Sequence, residues 1–357
     1  MKKKVMLGMS GGVDSSVSAK LLLDLGYDVT GVTLKLFSDD DIVLEENPYR
    51  TCCSLSDVED ARSVAYKLGI EHFVFNFKDE FREKVMQDFI DSYLNGHTPN
   101  PCIRCNRFIK FSKMLLRAET LGYDYIATGH YAINEYNGQT GRYELKRPAD
   151  RSKDQTYVLY NLTQEQLSKT LFPLGNYTKP QIRQIAEDEG LVNSRKPDSQ
   201  DICFVPDGNY ARFIEKHATV EKGNFIDTHG NILGQHNGII NYTVGQRKGL
   251  GITFGKPVFV VSKNAENNTV TLGEASDLMR TELIAEDVNL ISVPEIKEPL
   301  RIKAKTRYNQ QEQPATVYPM EDNRIKIVFD EPQRAITSGQ AVVMYDNDIV
   351  VGGGTII

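Results

Sequence analysis

The sequence predicts an α/β chain: a doubly wound parallel sheet, followed by a small central domain and a C-terminal β-barrel. Three observations predict it. Short apolar runs alternate with amphipathic helical stretches through about residue 205. Three of those helical stretches close on Leu-Gly, where a helix stops. From about residue 280 the pattern becomes strand after strand with short polar breaks. The expected domains are 1–205, 206–278 and 279–357.

The elements follow in order. "KVMLGM" is a first strand, and "SSVSAKLLLDLG" is a helix with Val17, Leu21 and Leu22 at helical spacing and Gly26 at its end. "YDVTGVTLKLF" is the second strand. "SLSDVEDARSVAYKLG" is a helix in which Ser56 and Glu59 fit a capping box and Gly69 the stop. "IEHFVFNF" is a strand, "DEFREKVMQDFIDSYLNG" a helix, and "NRFIKFSKMLLRAETLG" a further helix leading into the strand of "YDYIATGHYA". Right-handed crossovers would cover both faces of such a sheet. "YTKPQIRQIAEDEGL" is a helix with Thr178 as N-cap. Gly and Asn then crowd residues 230–252, and "KPVFVVSKNAENNTVTLG" reads as two strands about an Asn-rich turn. "LRIKAKTRY", "QPATVYPM", "RIKIVFD" and "QAVVMYDNDIVVGG" supply the barrel.

Composition narrows the function classes. Of 357 residues, 40% are hydrophobic and 25% charged, ordinary globular usage. No apolar run is long enough to span a bilayer, and "MKKKVMLGMSGG" reads as a lysine-tipped strand, not a signal peptide. A cytoplasmic location is expected, with thiols mostly reduced. The five cysteines, Cys52, Cys53, Cys102, Cys105 and Cys203, are an odd number and do not form a structural disulfide framework. The net charge is −6, so a nucleic-acid partner needs a local basic surface. Arg142, Lys146, Arg147, Arg151 and Lys153 offer one, unless they are a solvated loop.

"GMSGGVDSS" joins the first strand to the first helix. Gly11 and Gly12 permit a tight turn, and the following helix start turns N–H groups and its positive dipole end toward it, an anion site. A Walker A loop needs Gly-Lys-Ser/Thr, and no lysine is present. Asp14 would face the phosphates, so a Mg²⁺–nucleotide complex is implied.

S-G-G-x-D-S resembles the PP-loop of the N-type ATP pyrophosphatases, which split ATP into AMP and pyrophosphate and leave a carbonyl adenylated. The wider set "TPNPCIRCNRFIKF", "ATGHYA", "KDQTYVL", "SQDICF", "YTVGQRKGLG" and "TRY", in that order over nearly the whole chain, resembles the tRNA-specific 2-thiouridylases. The resemblance implies ATP-dependent 2-thiolation of the wobble uridine, position 34. In that reaction O2 is adenylated and sulfur is delivered to C2. It implies ATP contacts at Gly8, Met9, Ser10, Gly11, Gly12, Val13, Asp14, Ser15, Leu34 and Gly129. It implies target-base contacts at Asn100, Pro101 and Cys102, and tRNA contacts at His130, Lys153, Asp154, Gln155, Arg307, Tyr308 and Gln340. The implied partners are the tRNA anticodon stem-loop and a sulfur donor protein such as a cysteine desulfurase or sulfur relay. A wobble base must be splayed out to expose C2.

By the same resemblance Cys105 is the catalytic thiol and Cys203 carries the persulfide; the two could close a disulfide after turnover. Arg104 or Arg107 would lower a thiol pKa. Cys102 stands where the family often has Asp. Cys102, Cys105 and Cys203 could therefore bind a [4Fe–4S] cluster, leaving one iron for sulfide. Zinc is the alternative for C-x-x-C, although no second C-x-x-C follows. Cys52 and Cys53 read as a loop pair, with sulfur entry or redox as the alternative role. Two other functions compete: an amide-forming PP-loop ligase, which would not need Cys105 and Cys203, and a non-catalytic tRNA-binding protein with a structural metal.

Overall fold

A computed structural model describes residues 2–41, 55–198, 202–252, 255 and 257–357. Cys52 and Cys53 lie outside the described residues.

The first unit alternates as expected. β1 (Lys4–Gly8), α1 (Val13–Asp24), β2 (Asp28–Lys35), α2 (Leu55–Leu68) and β3 (Glu71–Asn76) are followed by helix α3 over 78–94 and helix α4 over 101–120. Then come β4 (Tyr125–Thr128), the hairpin β5 (Ile133–Asn137) and β6 (Arg142–Lys146), α5 (Gln164–Ser168), β7 (Thr170–Leu171) and α6 (Lys179–Asp188). The sheet runs β3-β2-β1-β4-β7, with every pairing parallel. The Leu-Gly stops hold: Gly26, Gly69 and Gly122 have φ of 85°, 69° and 78°, left-handed values that need no Cβ. At Thr178, Gln181 Oε1 accepts from the backbone N–H and the hydroxyl at 2.8 and 2.9 Å, closing the cap of α6.

Three expectations shift. α2 already includes Leu55, so Ser56 lies in its first turn and does not start the helix. α4 begins at Pro101, five residues before the expected Asn106, because Asn100 caps it and Pro101 suits the first helical position. The basic stretch 142–153 is a strand followed by a 3₁₀ turn, not a loop.

The central part adds α7 (Tyr210–His217) and strands β8 (Gly223–Ile226), β9 (Ile232–His236), β10 (Phe259–Asn264) and β11 (Thr269–Gly273), ordered β10-β11-β8-β9. The last part is β12 (Met279–Leu290), β13 (Leu300–Lys305), β14 (Gln313–Pro319), β15 (Ile325–Arg334), β16 (Ala341–Asp346) and β17 (Ile349–Ile356). β12 pairs with both β15 and β17, so this sheet closes into a barrel and hides its edges. The β5–β6 hairpin of the first unit extends the barrel sheet through Ile349 opposite Lys146. One apolar cluster joins Phe111, Tyr157 and Leu159 of the first unit to Val343, Tyr345 and Val350 of the barrel. Tyr157, fully buried, donates its hydroxyl to the Ala341 carbonyl at 2.8 Å. Unit and barrel therefore share a core.

Candidate active site

β1 ends at Gly8 and α1 starts at Val13, so residues 9–12 form the turn. Gly11 has φ of 72°, and a Cβ on it would stand 2.3 Å from the Asp57 carbonyl oxygen. Side chains from far along the chain clamp the turn. Asn193 Nδ2 donates to the Gly11 carbonyl at 3.0 Å and to Ser16 Oγ at 2.8 Å. Lys196 Nζ donates to the same carbonyl at 3.1 Å and to Asp57 and Asp60 at 2.6 Å each. Ser15 Oγ accepts from the Ser10 N–H at 3.2 Å and donates to the Gly12 carbonyl at 3.1 Å. Met9 and Val13 are buried beneath, and Ser10 is exposed. β1 and β4 are neighbours at the crevice where strand order reverses, the usual ligand position in such sheets. Gly129, just past β4, lies so close to α1 that a Cβ would meet Ser15 N at 2.9 Å. Leu34, half-buried near the end of β2, flanks the same edge.

Asp14 does not face an incoming anion alone. Tyr131 Oη donates to it at 2.7 Å, and Lys179 Nζ donates to both its oxygens at 2.8 Å. Lys179 also reaches Asp198 at 2.7 Å, which Lys153 and Arg183 hold from the other side at 2.8 and 3.0 Å. The turn and the α1 N-terminus fit a phosphate chain. Asp14 fits a Mg²⁺ that takes its other ligands from phosphate and water. Among the described residues, no group of three or more His, Cys, Asp or Glu could hold a metal by itself.

The cysteines lie in α4 and after α6. Asn100 Oδ1 accepts from the Cys102 N–H at 3.1 Å, so this expected base-contacting residue also starts the helix that carries both cysteines. Pro101 is buried beside it. Cys102 is exposed and Cys105 is 7% exposed. Cys105 belongs to an apolar cluster with Phe89, Tyr93 and Phe204, against which Cys203 packs. Cys102, Cys105 and Cys203 are all thiols. Among the described residues, the three do not form a group that could hold a metal ion. Arg104 and Arg107, expected to lower a thiol pKa, are drawn to Asp88 at 2.6 Å and to Asp287.

The expected RNA contacts mostly point inward. His130 is 8% exposed, hydrogen-bonded to Thr128 Oγ1 at 2.8 Å and flanked by Phe111 and Phe172. Burial, with Lys110 nearby, keeps its ring neutral. Asp154 accepts from the Thr156 N–H at 2.9 Å, and Gln155 from the Tyr131 N–H at 2.9 Å. The basic stretch pairs internally: Lys146 with Glu135 and Glu144, Arg147 with Glu312, Arg151 with Asp348. Arg142 donates to the Ile291 and Leu290 carbonyls. One Arg307 Nη donates to the Val244 and Ala335 carbonyls at 3.0 Å and to Thr337 Oγ1 at 2.7 Å, tying the barrel to the central part. Gln340 Nε2 donates to the Thr98 carbonyl at 2.8 Å, tying the barrel to the turn before α4. Tyr308 remains 38% exposed. Burial raises its pKa, and Asp154 and Cys102 raise it further.

Sequence comparison adds the family. Models described as "tRNA methyl transferase HUP domain", "tRNA methyl transferase PRC-barrel domain" and "Aminomethyltransferase beta-barrel domain" match residues 3–207, 211–274 and 280–356. A protein of Clostridioides difficile (strain 630) named "tRNA-specific 2-thiouridylase MnmA" is 59% identical over 358 residues, covering 100% of this chain and 98% of that protein. The chain belongs to the tRNA-specific 2-thiouridylases. A protein of the same name from Acetivibrio thermocellus is 57% identical, covering 99% of each. In this thiouridylase chain, sequence reasoning missed Lys179, Tyr131, Asn193, Lys196 and Asp198. Thr178 and Pro180 mark a helix start at Lys179, but nothing in the sequence says where that helix points.

Proposed function

We propose that this chain carries out ATP-dependent 2-thiolation of the wobble uridine of tRNA. One juxtaposition carries the reading: a clamped anion-binding turn on the same unit as an apolar cluster that gathers Cys105 and Cys203. The turn of Gly8–Ser15 binds the phosphates of ATP, with Mg²⁺ accompanying them. Uridine O2 attacks the α-phosphorus, pyrophosphate leaves, and O2 becomes part of a good leaving group. Cys203 arrives at this stage as a persulfide, loaded by a sulfur donor protein such as a cysteine desulfurase or relay.

The persulfide sulfur attacks C2, and AMP leaves with the former O2. Cys105 thiolate then attacks the Cys203 sulfur, releasing the thiolated base and closing a Cys105–Cys203 disulfide, which an external thiol reduces. Alternatively, Cys105 attacks first and frees sulfide, which adds to C2. The apolar cluster supports either route, because it keeps water from competing with sulfur at an activated carbon. Asn100, Pro101 and Cys102 start the helix that carries Cys105 and serve as the base-side wall. His130, Lys153, Asp154, Gln155, Arg307 and Gln340 then act on tRNA by shaping the surface more than by free charge. The boundaries 1–205, 206–278 and 279–357 describe the units of this reading, and a cytoplasmic location suits the substrate. No described helix is long and apolar enough to cross a membrane.

The test uses purified chain, ATP, Mg²⁺, a cysteine desulfurase with cysteine as the persulfide source, and unmodified tRNA. Sulfur in place of oxygen at the wobble base, found by mass after digestion, is the expected result. ATP turnover without that exchange would reject the reading in favour of another PP-loop chemistry.

A further inference from the structure

The turn lacks a lysine, and α1 offers its anion only about half a positive charge. We propose that Lys179 is the missing cation, and that its ammonium binds the β- and γ-phosphates of ATP. The inference rests on reading Gly8–Ser15 as the ATP turn.

Four features support it. The Lys179 backbone is fixed at the start of α6 by the Thr178–Gln181 cap, and its own N–H donates to Asp150 Oδ2 at 2.9 Å. The side chain is 9% exposed and passes the Tyr131 ring at 5.9 Å, so it is directed at the loop and not at solvent. Its ammonium meets both oxygens of Asp14, the second residue of α1, which is where phosphates approach a helix N-terminus. The carboxylates it would loosen keep other partners: Asp198 retains Lys153 and Arg183, and Asp14 retains the Tyr131 hydroxyl.

Lysine suits this exchange. Its ammonium carries rotatable donors on a flexible stem, so it can turn from carboxylate to phosphate without moving α6. Lys196 differs. It grips the Gly11 carbonyl together with Asp57 and Asp60, and so shapes the turn.

The experiment measures ATP and AMP affinity of the full chain by calorimetry, for wild type, Lys179→Gln, Lys179→Arg and the double variant Asp14→Asn/Lys179→Gln. The double variant removes both charges together, so no Asp14 carboxylate is left beside the turn without its lysine. Lys179→Gln and the double variant should lose on the order of 10- to 100-fold in ATP affinity, the size of one charged hydrogen bond, with AMP affinity unchanged. Lys179→Arg should recover part of the loss. Equal loss of ATP and AMP would mean a purely structural lysine, and unchanged ATP affinity would mean none of this role; either overturns the inference. A wild-type chain that binds neither nucleotide would overturn the ATP reading of the turn itself.

Discussion

Around Gly11 the backbone is gripped by directional bonds: Asn193 and Lys196 hold its carbonyl, and Ser15 closes the turn onto Ser10 and Gly12. Around Cys105 and Cys203 the neighbours are rings, with Phe204 edge-on to Phe81 and Phe89 at centroid distances of 5.7 and 5.3 Å. Hydrogen bonds fix an angle as well as a distance, so the first region can aim N–H groups at a phosphate. Apolar packing has no such angle, but it excludes water. Under the proposed function, the contrast would give precision to nucleotide binding and dryness to sulfur transfer.

The largest effect should come from the cysteines. Cys105→Ser and Cys203→Ser should each cut thiolation by on the order of 10³-fold or more while ATP affinity stays unchanged. If ATP affinity fell with activity, the two regions would be one cooperative unit and the contrast would break. Next is Gly11→Ala. A left-handed φ on a non-glycine residue costs roughly 1–3 kcal/mol, and here the added Cβ also meets the Asp57 carbonyl. ATP affinity should fall by about tenfold or more, at 1.4 kcal/mol per factor of ten, with both cysteines reacting with a thiol reagent as in the unaltered chain.

Arg307→Ala removes a charged donor from two carbonyls and a hydroxyl, about 1–3 kcal/mol of stability, read as a lower thermal midpoint without tRNA present. An unchanged midpoint with weaker tRNA binding would return Arg307 to a simple RNA contact.

The smallest effect is a pH dependence at the apolar edge. Lys263 sits over Tyr93 at 5.6 Å, near the His97 carbonyl, and desolvation lowers its pKa to about 8. Between about 8 and the ordinary 10.5 the unfolded chain holds a proton that the folded chain has lost, so this group's contribution to stability rises with pH. In Lys263→Met that rise should be missing from the denaturant midpoint. Identical pH profiles would show that the ammonium stays hydrated. Lys179, more deeply buried, differs in meeting two carboxylates, which sharpens the contrast between the regions.

Part of this architecture is legible in the sequence. The alternation of strands and helices, the Leu-Gly stops, the glycine turn and the closing run of strands are local patterns, and local patterns survive folding when they agree with each other. The C-x-x-C is legible as a motif but not in its setting, because Asn100 and Pro101 act as helix starters and not as loop residues. The charged residues are the least legible. Arg147 and Arg307 look like RNA contacts in sequence, and both are held by partners on other elements.

By itself the sequence determined the βα order, the loop that can turn on Gly11, and the family. Those depend on neighbours along the chain and on motif order. Only the tertiary structure decided that Lys179 meets Asp14 across 165 residues, that Asn193 and Lys196 hold the turn, and that Cys105 and Cys203 share one dry cluster. A side chain's charge is written in the sequence, but what neutralises it is set by packing between elements distant in the chain.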